Sequence, residues 1–451
     1  MKKTPLEPWI TSQILPPGGG ILTQQHIERY QLEKLREIVS YTMEKSFFYR
    51  RHFAGTEKHG IKDLAAFRCL PFTTPADIRE HGMRFVCTSQ DEIERIVTLQ
   101  TSGTTGAEKR LFFTADDLEL TVDFFRHGMT TMVEPGATVI IFLPGERPAS
   151  VGDLLSKALT SIGVKPVVWG PVRDLAAARM EILRHESPCL VGIPTQILAL
   201  ARGIGGETIP EGWVSSVLLS TDYVPTAVKV ELERLWGCRV FGHYGLTETG
   251  LGGGVECQAK DGYHLREADL YTEIINPATG QPVPDGQPGE VVFTTLTRKG
   301  MPLIRYRTGD LARIIPDPCP CGTMLKRLGR VQGRIEYNLR LQQGLNINMS
   351  VLDEALLPVS GLLNFTAEIC NNDGQDHLHL CLQVCDDGEK ERVAREVVTV
   401  LLHSEPVAVL FRNRALAVGS ITFSEAGWVT SGTGKRQIRD SRQRGAMVTQ
   451  I

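Results

Sequence analysis

Residues 101–109 read Thr-Ser-Gly-Thr-Thr-Gly-Ala-Glu-Lys, a run of hydroxyls, glycines and one cation suited to an anionic ligand. Thr101, Ser102, Thr104 and Thr105 offer hydroxyls beside the loop's own N–H groups. Gly103 and Gly106 permit close backbone approach, and Lys109 adds positive charge. A phosphate is the ligand such a loop would wrap, although a Ser/Thr/Gly-rich surface turn has the same composition. It is not a Walker loop, because the Gly-Lys-Ser/Thr ending and a following helix are missing. Three more clusters carry usable chemistry. In His243-Tyr244-Gly245-Leu246-Thr247-Glu248, Tyr244 offers a flat ring for a base, Thr247 a hydroxyl for a phosphate oxygen and Glu248 a carboxylate for Mg²⁺. The run Arg305-Tyr306-Arg307-Thr308-Gly309-Asp310 ends in a carboxylate that can accept both ribose hydroxyls or simply close a salt-bridged hairpin. Near the C-terminus, Ser431-Gly432-Thr433-Gly434-Lys435-Arg436 is a basic loop whose lysine can reach a distant site, and a solvated tail would look the same.

The elements that must position these groups follow from hydrophobic period. Residues 1–22 read as an extended arm closed by Pro16-Pro17-Gly18-Gly19-Gly20, and residues 24–53 as one long amphipathic helix. Apolar alternation at Ile96, Val97 and Leu99, and again at Leu111, Phe112 and Phe113, predicts two strands joined by the 101–109 loop. From residue 138 to 244 strand-like and helix-like runs alternate, which predicts a mostly parallel sheet covered by helices. The 243–248 cluster then lies at the C-terminal end of a strand, where open α/β sheets bind ligands. After residue 250 short β-like runs with Gly/Pro turns predict an antiparallel β subdomain, and residues 331–451 carry their own α+β pattern. The expected fold is α/β, with a large N-terminal domain (1–330, its β subdomain at about 251–330) and a small mobile C-terminal domain (331–451).

Composition narrows the function classes. The chain has 451 residues, 42% apolar and 22% charged, with a net charge of −3. That balance gives no electrostatic reason to expect nucleic acid or a membrane surface as partner. No run reaches the roughly 18 apolar residues that span a bilayer, and the N-terminus does not read as a signal peptide, so a cytoplasmic protein is expected. Ten cysteines are too sparse for a disulfide scaffold.

Each cluster is weak alone; their order and separation are not. The segments TSGTTGAEK, YGLTETG, YRTGD, Gly329-Arg330 and the terminal GTGK resemble the superfamily of adenylate-forming enzymes, over residues 101 to 435. Glu256-Cys257, Gly262-Tyr263-His264, the stretch TTLTRKGMPLIRYRTGDLARI and Cys319-Pro320-Cys321-Gly322 resemble the phenylacetate–CoA ligase branch more closely. The resemblance implies an ATP-dependent acid–thiol ligase that makes an acyl-adenylate and passes the acyl group to CoA. By position, the 101–109 loop would hold the β/γ-phosphates, Thr247 the α-phosphate and Glu248 the Mg²⁺. Tyr244 and Gly245 would face adenine, with Ser220, Thr221, Asp222 and Tyr223 lining the base; Asp310, supported by Arg330, would bind ribose. Lys435 would bridge the carboxylate and the α-phosphate, carried in and out by rotation of the C-terminal domain. The branch also implies a structural Zn²⁺ on Cys257, His264, Cys319 and Cys321, although Cys-x-Cys replaces the commoner Cys-x-x-Cys.

The chain departs from the family at the hinge, where Gln332 stands in place of an Asp or Lys, and along YNLRLQQGLNINMS. The thiol acceptor is therefore less legible than adenylation: an enzyme that loads a carrier protein is the alternative, and a catalytically silent nucleotide-binding relative a third. Gly245 and the glycines within Gly250–Gly254 are expected to leave space for a flat, ring-bearing acid, with Phe142, Trp169 and Tyr223 as walls. Related enzymes are often homodimers, but the chain reveals no interface.

Overall fold

The computed structural model describes residues 1–55, 60–99, 108–203, 208–424 and 435–442. They form two units: residues 1–136, 144–166 and 242–331 make the first, and residues 137–143, 167–241 and 332–451 the second.

In the first unit the N-terminal segment is not an extended arm. Leu6–Ile14 is a helix that buries Leu6, Trp9 and Ile10, one face at helical spacing, and Trp9 stacks on His127 at 5.0 Å. The next helix, Gln24–Lys45, starts at Thr23, whose hydroxyl accepts from the His26 N–H. It ends sooner than periodicity suggests, because Ser46 turns extended and caps a second short helix, Phe47–His52, by accepting from the Tyr49 N–H. Thr74 and Asp77 form a reciprocal capping box for the helix Pro75–His81. Strands Ile93–Leu99 and Lys109–Thr114 pair antiparallel, with Leu99 opposite Lys109, and a second capping box (Thr114, Asp117) launches the helix Ala115–Met129.

The β subdomain is antiparallel throughout. Leu270–Ile275, Gly289–Thr295 and Tyr306–Ala312 form one meander. Gly254–Glu256, Tyr263–Leu265, Arg327–Leu328 and Ile314–Ile315 form a second antiparallel set in that spatial rather than sequence order, joined to the end of Arg239–Tyr244 through His243 opposite Val255. Arg305, at φ 47°, is held by a two-bond fork onto buried Glu273 (3.0 and 3.1 Å) and by the Leu70 carbonyl, its guanidinium over the Phe72 ring. Such a pair is costly to break from one side, since it strands a buried charge.

The second unit holds the predicted parallel strands. Thr138–Ile141 pairs with Cys189–Gly192, and that strand with Ser216–Leu219, all parallel. Helices Leu175–Leu183, Pro194–Arg202 and Thr226–Trp236 accompany them, and Ile140, Phe142, Leu190, Val217 and Trp236 share one core. Its C-terminal part, from Gln332 onward, contains the antiparallel pair Leu362–Asn372 and Gln375–Val384, with Ala417–Phe423 parallel to the latter, and the helices Met349–Leu356 and Lys390–His403.

Glu267 links elements of the first unit: its carbonyl accepts from Gln31 and its carboxyl from the Lys326 N–H at 2.8 Å each. Burial pushes this carboxyl up from 4.5 to about 7. The sign follows directly: the stability it lends is full below pH 4.5 and is lost as pH rises through 7. Glu267→Gln keeps the acceptor without the charge. Urea unfolding should show the variant more stable than wild type by on the order of 3 kcal/mol at pH 8, the gap closing toward pH 4.5.

Candidate active site and cysteine–histidine cluster

Of the predicted loop residues, Thr101, Ser102, Gly103, Thr104, Thr105 and Gly106 lie outside the described residues. Lys109 opens the strand that follows and reaches Glu248, with which it forms a close ion pair. Tyr306 donates to the same carboxylate oxygen at 2.9 Å and lies 3.3 Å from the Lys109 ammonium. Glu248 is buried, so the pair is shielded from solvent and its charge is met within the protein. Arg298 donates to the Glu248 carbonyl at 2.8 Å, its guanidinium over the Phe113 ring; burial lowers it to about 10, so it stays charged at neutral pH. The turn that carries Thr247 and Glu248 is pinned by Thr249, whose hydroxyl bonds both the N–H and the carbonyl of Leu246.

A second carboxylate is held on the same strand as Tyr306. The Tyr244 hydroxyl donates to Asp310 at 3.1 Å, and Asp310 takes its place on the strand through an N–H bond to the Thr308 hydroxyl. Tyr244 is buried against Tyr263 (centroids 6.2 Å apart), so its hydroxyl acts as a brace for Asp310. Gly309, at φ 75°, bends the strand there, and its N–H donates to Glu290, which also takes Arg307. Arg330 is exposed.

Tyr306 and Arg298 were not singled out by sequence reasoning. The signal for Tyr306 was present: 306, 308, 310 and 312 all bury on alternate positions of one strand, which puts Tyr306 on the face of Asp310. Arg298 had none, because its partner is a backbone carbonyl 50 residues away in sequence.

In the second unit the turn 220–223 has Thr221 at φ 73°, with the Asp222 carboxylate accepting from the Tyr223 N–H at 2.8 Å. The second oxygen of Asp222 faces the Arg436 N–H at 3.5 Å, one residue beyond Lys435. Phe142 is fully buried in the core, not a pocket wall, while Trp169 stays about one-third exposed at 36%.

Cys257, His264, Cys319 and Cys321 converge, all buried, with their ligating atoms within 4.8 Å of one another. Cys257 and Cys319 sulfurs stand 3.6 Å apart, as do the Cys321 sulfur and His264 Nε2. These are the edge lengths of a tetrahedron whose centre lies about 2.0–2.3 Å from N and S donors. The Ala259 N–H points at the Cys257 sulfur (3.3 Å). From the N-terminal helix, Glu7 accepts from Thr323 and from the Met324 N–H, bracing the loop that carries the last two cysteines.

Residues 66–296, just over half of the chain, match the family of AMP-binding enzymes, and the chain belongs to that family. Within it, the chain is 27% identical to the phenylacetate-coenzyme A ligase of Thermus thermophilus over 411 residues, 89% of this chain and 90% of that one. It is also 27% identical to the phenylacetate-coenzyme A ligase of Escherichia coli over 343 residues, 73% of this chain and 76% of the relative. A crystal structure of 2-hydroxyisobutyryl-CoA ligase in the postadenylation state with 2-HIB-AMP shares the fold, with a TM-score of 0.76 at 21% identity over 94% of this chain and 91% of that one.

The glycines after the Tyr244 strand do not hold a space open. A Cβ on Gly252 would lie 2.2 Å from the Phe124 ring, one on Gly253 3.0 Å from the Tyr244 ring, and one on Gly245 2.4 Å from the Leu251 carbonyl. The room they free is filled by protein, which lets this loop close down on Tyr244. Gly252→Ala should therefore destabilise by about 1–3 kcal/mol, read as a lower urea midpoint with unchanged m-value.

Proposed function

We propose that the protein activates an aromatic carboxylic acid with ATP and transfers the acyl group to CoA. The observation that carries this reading is the buried Glu248 carboxylate held by Lys109 and Tyr306, together with the Tyr244–Asp310 pair. A carboxylate for Mg²⁺ and a cation for phosphate meet there, and the likeness to phenylacetate-coenzyme A ligases supplies the acid class and acceptor. Asp310 takes the ribose hydroxyls, supported by Arg330, and Ser220, Thr221, Asp222 and Tyr223 line the base with Tyr244 and Gly245. Thr101, Ser102, Gly103, Thr104, Thr105 and Gly106 would hold the outer phosphates together with Lys109, and Glu248 would hold Mg²⁺. The substrate carboxylate attacks the α-phosphorus, pyrophosphate leaves, and the CoA thiol then displaces AMP from the acyl-adenylate. Negative charge grows on the α-phosphoryl oxygens and on the leaving pyrophosphate, so Lys435 and the Thr247 hydroxyl act by electrostatic stabilisation. Residues 331–451 form a lid that brings Lys435 in for the first step and withdraws it for the second. Bound Mg²⁺ neutralises phosphate charge. No helix among the described residues is long and apolar enough to cross a membrane.

The test is acid-dependent exchange of labelled pyrophosphate into ATP across aryl, fatty and amino acids. Exchange with aryl acids, falling at least about 10²-fold in Lys435→Ala, is the expected result. No exchange with any acid, from folded and ATP-binding protein, would overturn the reading. Thioester formation with free CoA, against a phosphopantetheinylated carrier, decides the acceptor.

The Cys257, His264, Cys319 and Cys321 cluster suits Zn²⁺ in a closed structural site, where the metal would tie the two loops of the β subdomain together. Elemental analysis should find about one zinc per chain, and Cys319→Ser should lose it together with thermal stability. Metal-free wild type of undiminished stability would remove the structural role.

A further inference from the structure

The helix Met349–Leu356 carries two consecutive carboxylates that point to different partners in the second unit. Asp353 is buried and pairs closely with Arg436, whose guanidinium also donates to the Phe365 carbonyl at 2.9 Å and lies over the Phe365 ring. Burial pushes the Asp353 carboxyl up to about 6, against the pull of Arg436. Glu354 accepts from the Tyr223 hydroxyl at 2.7 Å and from the Thr226 N–H at 2.9 Å, with the Ala227 N–H at 3.4 Å. It thus caps the helix Thr226–Trp236 with a negative charge, where the exposed N–H groups and the helix dipole favour one. The far end of the same carboxylate-bearing helix is held by Arg202, which donates to the Leu357 and Val359 carbonyls at 2.8 and 3.1 Å. Asp222 closes the circuit through the Arg436 N–H.

We propose that Asp353 and Glu354 form a two-sided clamp that registers the Lys435 segment against the turn Ser220–Tyr223, making Arg436 and Glu354 positioning residues for Lys435. The inference rests on the adenylation role given to Lys435 above. One carboxylate fixes the residue next to the lysine and the other fixes the turn that lines the base, so a single rigid helix sets their spacing. A lysine that must meet a transition state within a fraction of an ångström depends on such a device. The Glu354 contacts belong to the adenylation step and part when the C-terminal residues withdraw Lys435.

The experiment compares Glu354→Ala, Glu354→Gln, Arg436→Met and Arg436→Lys with wild type. Three readouts are taken: pyrophosphate exchange, CoA-dependent consumption of supplied acyl-adenylate, and amide hydrogen exchange. The expected result is a fall of about 10-fold in the exchange kcat for Glu354→Ala and Arg436→Met at unchanged KM for ATP. The conservative variants recover part of it, and consumption of acyl-adenylate is not slowed. In Glu354→Ala the amides of residues 226–227 and 436–438 lose protection together. Equal loss of both half-reactions, or exposure of 226–227 alone, would overturn the clamp. Absence of exchange in the wild type would remove the proposed activity, while the paired amide response would still decide the clamp.

Discussion

A carboxylate buried away from bulk water, which must find its partners inside the protein, is the constraint around which the first unit is arranged. Glu248 sits on a four-residue turn, and an unpaired charge at that depth would cost several kcal/mol. Lys109 comes to it from a strand edge far back in the chain, and Tyr306 from the β subdomain. Arg298 and Thr249 hold the turn's backbone instead. Three segments distant in sequence must therefore fold together before that side chain is tolerable. A cation and a carboxylate thus meet at one tyrosine hydroxyl.

The same logic runs through the β subdomain. Asp310 is oriented by a tyrosine hydroxyl, Arg305 by a fork onto Glu273, and Arg307 by Glu290. Each polar side chain along the Tyr306–Ala312 strand thus has a buried or half-buried partner, so the strand's position is determined by bonds that are directional and short in range. The cysteine–histidine cluster serves the outer end of this subdomain, where short strands of two and three residues bury little apolar area of their own. In the second unit directional bonds again do the registering: Asp353 pairs with Arg436, Glu354 accepts from Tyr223, and Arg202 donates to the Leu357 carbonyl.

Much of this was legible from residue order. Apolar period located the parallel strands of the second unit and the two strands that flank the 101–109 loop. Two local readings failed for identifiable reasons. The Pro- and Gly-rich end of the N-terminal segment masked a helix whose buried apolar side chains are Leu6, Trp9 and Ile10 alone. The apolar run through residues 46–49 looked like a continuing helix, because periodicity is blind to a serine that stops one helix by capping the next.

Residue identity by itself determined the α/β alternation, the antiparallel β subdomain and the groups with chemistry to offer, because period, turn residues and donor type are local properties of the chain. Tertiary structure alone decided which of those groups meet. That Tyr244 braces Asp310, that Gly252 and Gly253 lie against the Phe124 and Tyr244 rings, and that Tyr306 and Lys109 share one carboxylate depend on contacts between residues apart in sequence, most of them by tens to hundreds of positions. No local pattern encodes such distances; they are set by how strands register and helices pack, and only then do side-chain types become a site.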